Sequence, residues 1–99
     1  MSVISIKEAQ ELMKKLYLER DKERGQERTF LKLVEEVGEL AESLLLQDKE
    51  KISEEIADIL AWTLSIANLL EIDAIKEFQE KYNEICPGCS ESPCSCDSV

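Results

Sequence analysis

Glycine and proline are almost absent from the first 85 residues, and no other feature of the sequence constrains the fold as strongly. Glycine occurs only at positions 25, 38 and 88, and proline only at positions 87 and 93. Because proline breaks a helix and glycine weakens one, nothing prevents a long first helix over residues 5–24. The apolar–polar alternation of a half-buried strand appears nowhere in the sequence. The sequence therefore predicts an all-α fold.

The spacing of the apolar residues divides the chain into four helices. The first begins at a capping box, since Ser5 is followed three residues later by Glu8, and Asp73 is suited to cap the fourth. Residues 25–28 break the helical pattern and are predicted to form a loop. The predicted helices cover residues 5–24, about 29–47, about 52–70 and about 73–85. Short connections between long helices favour an antiparallel helical hairpin bundle.

The complete absence of histidine excludes several kinds of site from this 99-residue chain. Ser-His-Asp and Cys-His relays, imidazole bases and histidine-containing zinc sites all need that residue. The net charge of −10 argues against binding to nucleic-acid polymers or anionic membranes, because both rely on Lys and Arg. The most apolar run, residues 56–70, is too short for a membrane span, and residues 1–7 lack a secretory signal. We therefore expect a cytoplasmic protein.

Two pairs of acidic residues stand out on the second and third predicted helices. Glu36 and Glu39 are three residues apart, as are Glu55 and Asp58. This spacing places both members of a pair on one face of a helix. If the two helices pack antiparallel, the four carboxylates can converge. Asp58 is the most informative of them, because it lies within the most apolar helix, where an unpaired buried carboxylate is costly.

Converging carboxylates repel one another unless a cation lies between them. Oxygen ligands without histidine or thiolate select Mg²⁺, Mn²⁺ or Ca²⁺, and Mg²⁺ keeps positions open for water and phosphate oxygens. A second interpretation is that each acidic pair is only a solvated helix face, which is common in a chain with 34% charged residues. The pattern alone leaves both interpretations open.

The third helix also bears on assembly. Eleven of residues 56–70 are apolar, and they surround the whole circumference of the helix. A helix that is apolar on all sides is buried on all sides, and four helices of one protomer can hardly enclose it. We therefore expect a homodimer or a homotetramer that assembles through the two helices carrying the acidic pairs.

The acidic residues belong to a longer pattern that resembles a known family. EEVGE at residues 35–39, combined with EEIAD at residues 54–58, resembles the acidic motifs of the MazG-type all-α nucleotide pyrophosphohydrolases. The segments RDKERG at residues 20–25 and TFLKLVEEVGEL at residues 29–40 are similar to a small stand-alone branch of that family, as is the cysteine-rich end. The resemblance covers nearly the whole chain.

The resemblance implies hydrolysis of a nucleoside triphosphate to a nucleoside monophosphate and pyrophosphate. It implies that Mg²⁺ ions bridge phosphate oxygens, neutralise developing charge and acidify a water for attack at the α-phosphorus. The metal ligands that it implies are Glu36, Glu39, Glu55 and Asp58. Glu35, the first acid of the motif, is either the residue that orients or deprotonates that water or a solvated glutamate.

The cationic residues are concentrated before the acidic ones. Residues 1–34 carry eight basic and six acidic residues, a net charge of +2, whereas residues 35–99 carry four basic and sixteen acidic residues, a net charge of −12. Because guanidinium groups match phosphate oxygens, Arg24 and Arg28 are the best candidates to hold the triphosphate, followed by Lys32. Each of the three could instead form surface salt links along its helix.

Three further residues are candidates for contact with the substrate. Trp62 lies on the same helical stripe as Glu55 and Asp58, where family members often place an aromatic residue against the base. It could equally be a tryptophan of the core or of a dimer contact. Lys81 and Asn83 resemble a Lys and an Asn near the end of the family's C-terminal helix, although their spacing differs.

The end of the chain has a different composition. CPGC at residues 86–89 is followed by CSC at residues 94–96. In a cytosolic protein such an array favours a metal over a disulfide, and four thiolates form a tetrahedral Zn²⁺ site. The candidate zinc ligands are Cys86, Cys89, Cys94 and Cys96, and oxidised or free thiols are the alternative. We therefore divide the chain into an all-α domain over residues 1–85 and a cysteine-rich tail over residues 86–99.

Three functions are compatible with these features. The first is a Mg²⁺-dependent nucleotide pyrophosphohydrolase that acts on a nucleoside triphosphate as a helical homo-oligomer. The second is an enzyme similar to phosphoribosyl-ATP pyrophosphohydrolase, which has a similar fold and similar acidic motifs. The third is a non-catalytic, metal-binding helical oligomer that mediates protein contacts. Asp58 favours the first over the third, because an interaction module does not need an acid within an apolar helix.

Overall fold

The computed structural model describes residues 2–97 and contains four α-helices. They are α1 (Ile6–Arg24), α2 (Gln26–Leu45), α3 (Lys49–Leu69) and α4 (Ala74–Lys81). The described part of the chain has no β-strand, only an isolated bridge between Asn83 and Ile85. The predicted all-α class with four helices is confirmed.

Side-chain caps fix where three of the helices begin. The Ser5 side chain accepts a hydrogen bond from the backbone N–H of Glu8 at 3.1 Å, and the Glu8 carboxylate accepts one from the backbone N–H of Ser5 at 3.0 Å. This is the reciprocal capping box that the spacing predicted. Asp73 caps α4 by accepting from the backbone N–H of Lys76, also as predicted, and Asp48 caps α3 in the same way.

The connection between α1 and α2 is a single residue, so the predicted loop over residues 25–28 is wrong. Gly25 takes φ 91° and ψ 155°, a region that residues with a Cβ rarely adopt. Its N–H donates to the Asp21 carbonyl at 2.8 Å, and its own carbonyl accepts from the N–H of Thr29 at 3.1 Å. One glycine therefore makes the whole turn, and residues 26–28 are free to form helix.

Two helices end earlier than the sequence predicted. α2 ends at Leu45 rather than near residue 47, and Gln47 takes a left-handed φ of 56°. α4 ends at Lys81 rather than near residue 85, and Glu84 takes a φ of 65°. A left-handed residue does not continue a right-handed helix, so the chain turns away after α2. α4 ends before Tyr82, whose φ of −111° and ψ of 88° are not helical.

α3 is the central element of the fold, because it packs against both α1 and α2. It holds Leu64 and Ala67, the two apolar residues that are buried in the described chain. Gln10 ties α1 to the junction of α3 and α4. Its Nε2 donates to Asn68 Oδ1 at 3.1 Å, and its Oε1 accepts from the backbone N–H of Ala74 at 3.0 Å. Side chains of α3 can therefore meet those of two neighbouring helices.

Much of the apolar surface of α2 and α3 stays exposed in the single chain. Val37, Leu44 and Ile56 are 49%, 55% and 56% exposed, so one protomer does not enclose the third helix on all sides. The radius of gyration is 15.8 Å, against about 13 Å for a compact domain of 100 residues. None of the helices in the described chain combines the length and the hydropathy that a bilayer span requires.

Candidate metal and nucleotide site

Three glutamates, here called the carboxylate cluster, converge where α2 packs against α3. Glu36 and Glu39 lie on α2, and Glu55 lies on α3. One carboxylate oxygen of each lies within 4.8 Å of the corresponding oxygens of the other two. The spacing of three residues places the α2 pair on one helical face, and the contact between the helices brings Glu55 to that face. Three of the four predicted metal ligands are thus brought together.

Glu55 is the buried acid of α3, whereas Asp58 is exposed. Glu55 is only 2% exposed, while Asp58 lies on the surface and lines a cleft together with Glu36. The expectation that Asp58 is a buried carboxylate is therefore wrong for the single chain. The two residues share one face of α3, but Glu55 lies against the glutamates of α2, whereas Asp58, one turn further along, lines the open cleft.

The carboxylate cluster has buried oxygen atoms without partners. Oε2 of Glu36 and Oε2 of Glu55 are both buried and make no hydrogen bond. Lys51 compensates part of the charge, because its Nζ lies 3.6 Å from Glu55 Oε1. The Glu55 charge is the main cause that raises the pKa of Lys51. A buried carboxylate oxygen without a partner is costly, so the cluster favours additional positive charge.

The crowding of these acids raises the pKa of Glu36 to about 7. The largest cause is a hydrogen bond that protonated Glu36 can donate to the Glu55 carboxylate. Burial raises the pKa of Glu36 further, and so do the charges of Glu39, Glu55 and Asp58. Without a cation, the pair of carboxylates relieves its repulsion by retaining one proton.

The donor set of the carboxylate cluster fits a hard divalent cation. It consists of carboxylate oxygens, which are the ligands that Mg²⁺ and Mn²⁺ prefer. A cation among these acids would satisfy both of the buried oxygens that lack partners. The residues that could hold such an ion are the three glutamates of the cluster, with Asp58 beside them.

A cleft of about 410 Å³ lies beside the carboxylates and is lined by residues of α1, α2 and α3. Its cationic side chains are Arg20, Arg24 and Lys32. Its acidic side chains are Asp21, Glu35, Glu36 and Asp58. The volume falls within the range of about 300–1,000 Å³ that is typical of sites for small ligands. Cationic and acidic side chains therefore share one cleft.

Arg24 is held at the wall of this cleft by two contacts. Its Nη1 donates to Oδ1 of Asp21 at 2.8 Å, and its guanidinium carbon lies 5.1 Å from the centre of the Trp62 ring. Asp21 is 2% exposed, so the ion pair is shielded from water. The contact with Trp62 is a cation–π interaction. Together the two contacts position the guanidinium before any ligand arrives.

Lys32 and Glu35 form an exposed ion pair in the same cleft. Lys32 Nζ lies 3.5 Å from Glu35 Oε2, and the two side chains are 51% and 62% exposed. Exposed pairs of this kind add little to stability. Both side chains therefore remain available to a ligand.

Three predicted substrate-binding residues do not reach the cleft in the single chain. Arg28 is exposed on α2 and is not part of the cleft lining. Lys81 is the last residue of α4, its Nζ lies 5.7 Å from the centre of the Tyr82 ring, and Asn83 follows beyond the helix. α4 packs against α1, and neither Lys81 nor Asn83 lines the cleft. The roles of these three residues stay predictions.

The four cysteines of the tail also converge. The Sγ atoms of Cys86, Cys89, Cys94 and Cys96 all lie within 4.8 Å of one another, and all four are free thiols. These sulfur ligands differ in chemistry from the carboxylates, because thiolates select softer cations.

Comparison with known protein families matches residues 24–90 of the chain to the MazG nucleotide pyrophosphohydrolase domain. The match spans about two thirds of the chain. The chain belongs to the MazG family. A search of curated proteins finds no match.

The MazG match and the observed site overlap in the chain. The matched residues include α2, α3 and α4, and with them the whole carboxylate cluster. They also include Arg24, Lys32 and Trp62, which line the cleft. Arg20 and Asp21 precede the matched residues. The matched residues therefore include the carboxylate cluster and part of the cationic wall, and Arg20 lies earlier in α1.

Asp21, Arg20 and Lys51 line the cleft or contact the carboxylate cluster, although none of them is among the predicted site residues. The signal for Asp21 was its position three residues before Arg24, which is the spacing of a helical ion pair. Its burial could not be read from the sequence, because it lies in a highly charged stretch of α1 and is covered only when the helices pack. Lys51 likewise lies four residues before Glu55.

The raised pKa of Glu36 predicts how the stability of the metal-free chain depends on pH. In the folded chain the Glu36 carboxyl keeps its proton up to pH about 7, whereas the ordinary pKa of a glutamate is 4.5. Between these values the folded state binds more protons than the unfolded state, so stability falls as the pH rises. Thermal denaturation with a chelator should therefore give a lower Tm at pH 8 than at pH 5.

Two variants isolate the contribution of Glu36 to this pH dependence. Glu36→Gln should flatten the slope of Tm against pH, because the titrating group is gone. Glu35→Gln, its exposed neighbour, serves as the matched control and should keep the slope of the wild type. The same slope in Glu36→Gln and wild type would contradict this assignment.

Proposed function

We propose that this MazG-family chain is a nucleotide pyrophosphohydrolase that converts a nucleoside triphosphate to the monophosphate and pyrophosphate. The observation that carries the proposal is a carboxylate cluster adjoining a cleft lined by Arg20, Arg24 and Lys32. Acids that bind a cation and cations that bind phosphate are the groups that phosphoryl chemistry uses. The match to the MazG domain supports the same activity.

The metal ligands in this proposal are Glu36, Glu39, Glu55 and Asp58, and the ion is Mg²⁺ or Mn²⁺. When bound, the ion neutralises charge on phosphate oxygens and makes a bound water more acidic. The support is the chemistry of the acids, with two buried oxygens that lack partners. Asp58 lines the cleft, so it is the acid of α3 that a nucleotide would approach.

Arg20, Arg24 and Lys32 bind the phosphates in this proposal. Arg24 is the strongest candidate, because Asp21 already fixes its guanidinium and a guanidinium matches two phosphate oxygens at once. Trp62 lines the cleft and contacts Arg24. We assign its ring a second role as an apolar wall for the base.

Glu35 orients the attacking water in this proposal and accepts its proton. It lines the cleft, it is exposed, and its ion pair with Lys32 is 3.5 Å long. A carboxylate within reach of a water can act as a general base. The water oxygen forms a bond to the α-phosphorus, the bond from that phosphorus to the bridging oxygen breaks, and pyrophosphate leaves.

We also propose that α2 and α3 form an antiparallel hairpin. Leu31 and Ile66 line one groove, at the start of α2 and near the end of α3. Glu36 lies near Glu55, farther along α2 and earlier in α3. Residue numbers thus rise along one helix as they fall along its neighbour, which supports the antiparallel direction.

The exposed apolar face of this hairpin supports assembly into a homodimer or a homotetramer. Val37 and Leu44 on α2 and Ile56 on α3 are each about half exposed. Exposed apolar surface of this extent on neighbouring helices is typical of an interaction surface. The radius of gyration of 15.8 Å supports the same conclusion, because a domain of this length that closes its own core is more compact.

The observations favour this function over the two alternatives. An enzyme similar to phosphoribosyl-ATP pyrophosphohydrolase would share the acidic motifs, but the family match is to the MazG domain. A non-catalytic oligomer would not need a cleft in which cations and acids meet.

Product analysis tests the proposed reaction. The chain is incubated with each nucleoside and deoxynucleoside triphosphate and Mg²⁺, and we expect monophosphate and pyrophosphate in equal amounts. In ¹⁸O-labelled water the label should enter the monophosphate, because the α-phosphorus is attacked. Glu55→Gln should lower kcat by about 100-fold or more, the loss that is typical when a group that stabilises charge in the transition state is removed.

Glu50→Gln is the matched control for this assay, because Glu50 lies in the first turn of the same helix and is exposed. It should retain the activity of the wild type. Label in the pyrophosphate, release of a nucleoside diphosphate, or full activity of Glu55→Gln would each contradict the proposal.

Fluorescence tests whether Asp21 positions Arg24, since Trp62 is the only tryptophan of the chain. Binding of a non-hydrolysable nucleoside triphosphate with Mg²⁺ should change the fluorescence emission of Trp62. Asp21→Asn should weaken that binding by up to about tenfold, because the amide oxygen can still accept from Arg24 but lacks the negative charge that strengthens and fixes this contact. Glu23→Gln, an exposed change on α1, should leave the affinity unchanged. Equal affinities of Asp21→Asn and wild type would rule out the positioning role.

Sedimentation velocity tests the proposed assembly. The wild-type chain should sediment as a dimer or a tetramer, and Leu44→Glu should shift it towards the monomer by placing a charge on the exposed apolar face. Val3→Glu changes a residue that is 98% exposed outside the helices, and it should leave the assembly intact. A wild-type monomer at micromolar concentration would refute the assembly.

A further inference from the structure

The cysteines of the tail form a second cluster that nucleotide hydrolysis does not use. The Sγ atoms of Cys86, Cys89, Cys94 and Cys96 lie within 4.8 Å of one another, in a segment without helix. We propose that these four thiolates bind one Zn²⁺ in a tetrahedral site. The site is separate from the carboxylate cluster and does not rest on the proposed function.

The distances between the sulfur atoms fit a single ion. Cys86 Sγ and Cys96 Sγ are 3.7 Å apart. In a tetrahedral site with zinc–sulfur bonds of about 2.3 Å, neighbouring sulfur atoms lie about 3.8 Å apart. A disulfide requires a sulfur–sulfur distance of about 2.05 Å. An iron–sulfur cluster with several iron atoms is larger than one ion, so its thiolate ligands would lie farther apart. The four sulfur atoms are thus arranged around the volume of one ion.

Backbone N–H groups are directed at the sulfur atoms. Three such hydrogen bonds, each 3.3 Å long, run from Gly88 to Cys86, from Ser95 to Cys89 and from Cys96 to Cys94. Hydrogen bonds of this kind stabilise negative charge on a ligand and fix its orientation. They therefore prepare the sulfur atoms to act as thiolate ligands.

The backbone around the first two cysteines leaves room for the sulfur atoms to approach one another. A Cβ at Gly88 would lie 3.1 Å from Cys96 Sγ and 3.7 Å from Cys86 Sγ, so a side chain there would press into the cluster. The N–H of Ser90 donates to the Cys86 carbonyl at 2.7 Å. The resulting turn brings Cys86 and Cys89 to the same side.

A zinc ion would stabilise the fold of the tail, whose described residues form no hydrophobic core of their own. The described residues after Ile85 are exposed apart from Cys86 and Cys89, which are half-buried. In a segment without a core, the free energy of metal binding is also the free energy of folding. Thiolates select Zn²⁺ and carboxylates select Mg²⁺, so the two sites would not compete for one metal.

Metal analysis of the full chain tests this proposal. The chain is produced with zinc present and dialysed into buffer with Mg²⁺, and its metals are measured by mass spectrometry. We expect one zinc per chain in the wild type and in the control Ser92→Ala, and little or none in Cys89→Ser and Cys96→Ser. Far-UV circular dichroism checks that the helices of both cysteine variants are folded. Glu55→Gln should keep its zinc, which separates this site from the carboxylate cluster.

A second measurement uses the wild-type chain and does not depend on any variant. A thiol reagent should react slowly with the zinc-loaded chain. Once a strong chelator has removed the zinc, the same reagent should react quickly with all four thiols. Cobalt in place of zinc should give the absorption bands of a tetrahedral thiolate site. Iron in place of zinc, four reactive thiols with zinc present, or zinc retained in both cysteine variants would overturn the proposal.

Discussion

The repulsion among the glutamates of the carboxylate cluster is the constraint on which the rest of the structure depends. Two like charges about 4 Å apart repel by about 4 kcal/mol at an effective dielectric constant near 20. That is a large share of the roughly 5–15 kcal/mol that stabilises a typical domain. α2 and α3 nevertheless pack with three acids inside 4.8 Å. Lys51 at 3.6 Å offsets only part of the charge, so a further proton or a cation would stabilise the packing of these helices.

A divalent cation would resolve this repulsion and attract the substrate at the same time. A proton on Glu36 relieves the repulsion only up to pH about 7. A cation does so at higher pH and leaves its own charge facing the cleft. The net charge of −10 therefore does not exclude an anionic nucleotide, because Arg20, Arg24 and Lys32 line the same cleft. Asp21 belongs to this cationic wall although it is an acid, since it holds Arg24 in place.

The local features of the fold could be predicted from the sequence, and the tertiary ones could not. The capping box of Ser5 and Glu8 and the cap at Asp73 depend on neighbouring residues only, so their spacing was sufficient. The extent of the turn at Gly25 was missed, because one glycine with a positive φ removes the need for a loop. The burial of Glu55 rather than Asp58 could not be predicted, because both lie on one face of α3 and only the packing of the helices decides which turn of that face is covered.

Binding of Mn²⁺ to the nucleotide-free chain tests the central claim most directly, namely that the carboxylate cluster holds a divalent cation. The electron paramagnetic resonance signal of free Mn²⁺ measures how much of the ion remains unbound. We predict that the wild type and Glu50→Gln bind Mn²⁺ with the same affinity. Glu55→Gln should bind at least about tenfold more weakly, in line with the losses of metal affinity seen on altering metal sites. Equal affinity of Glu55→Gln and wild type would contradict the account.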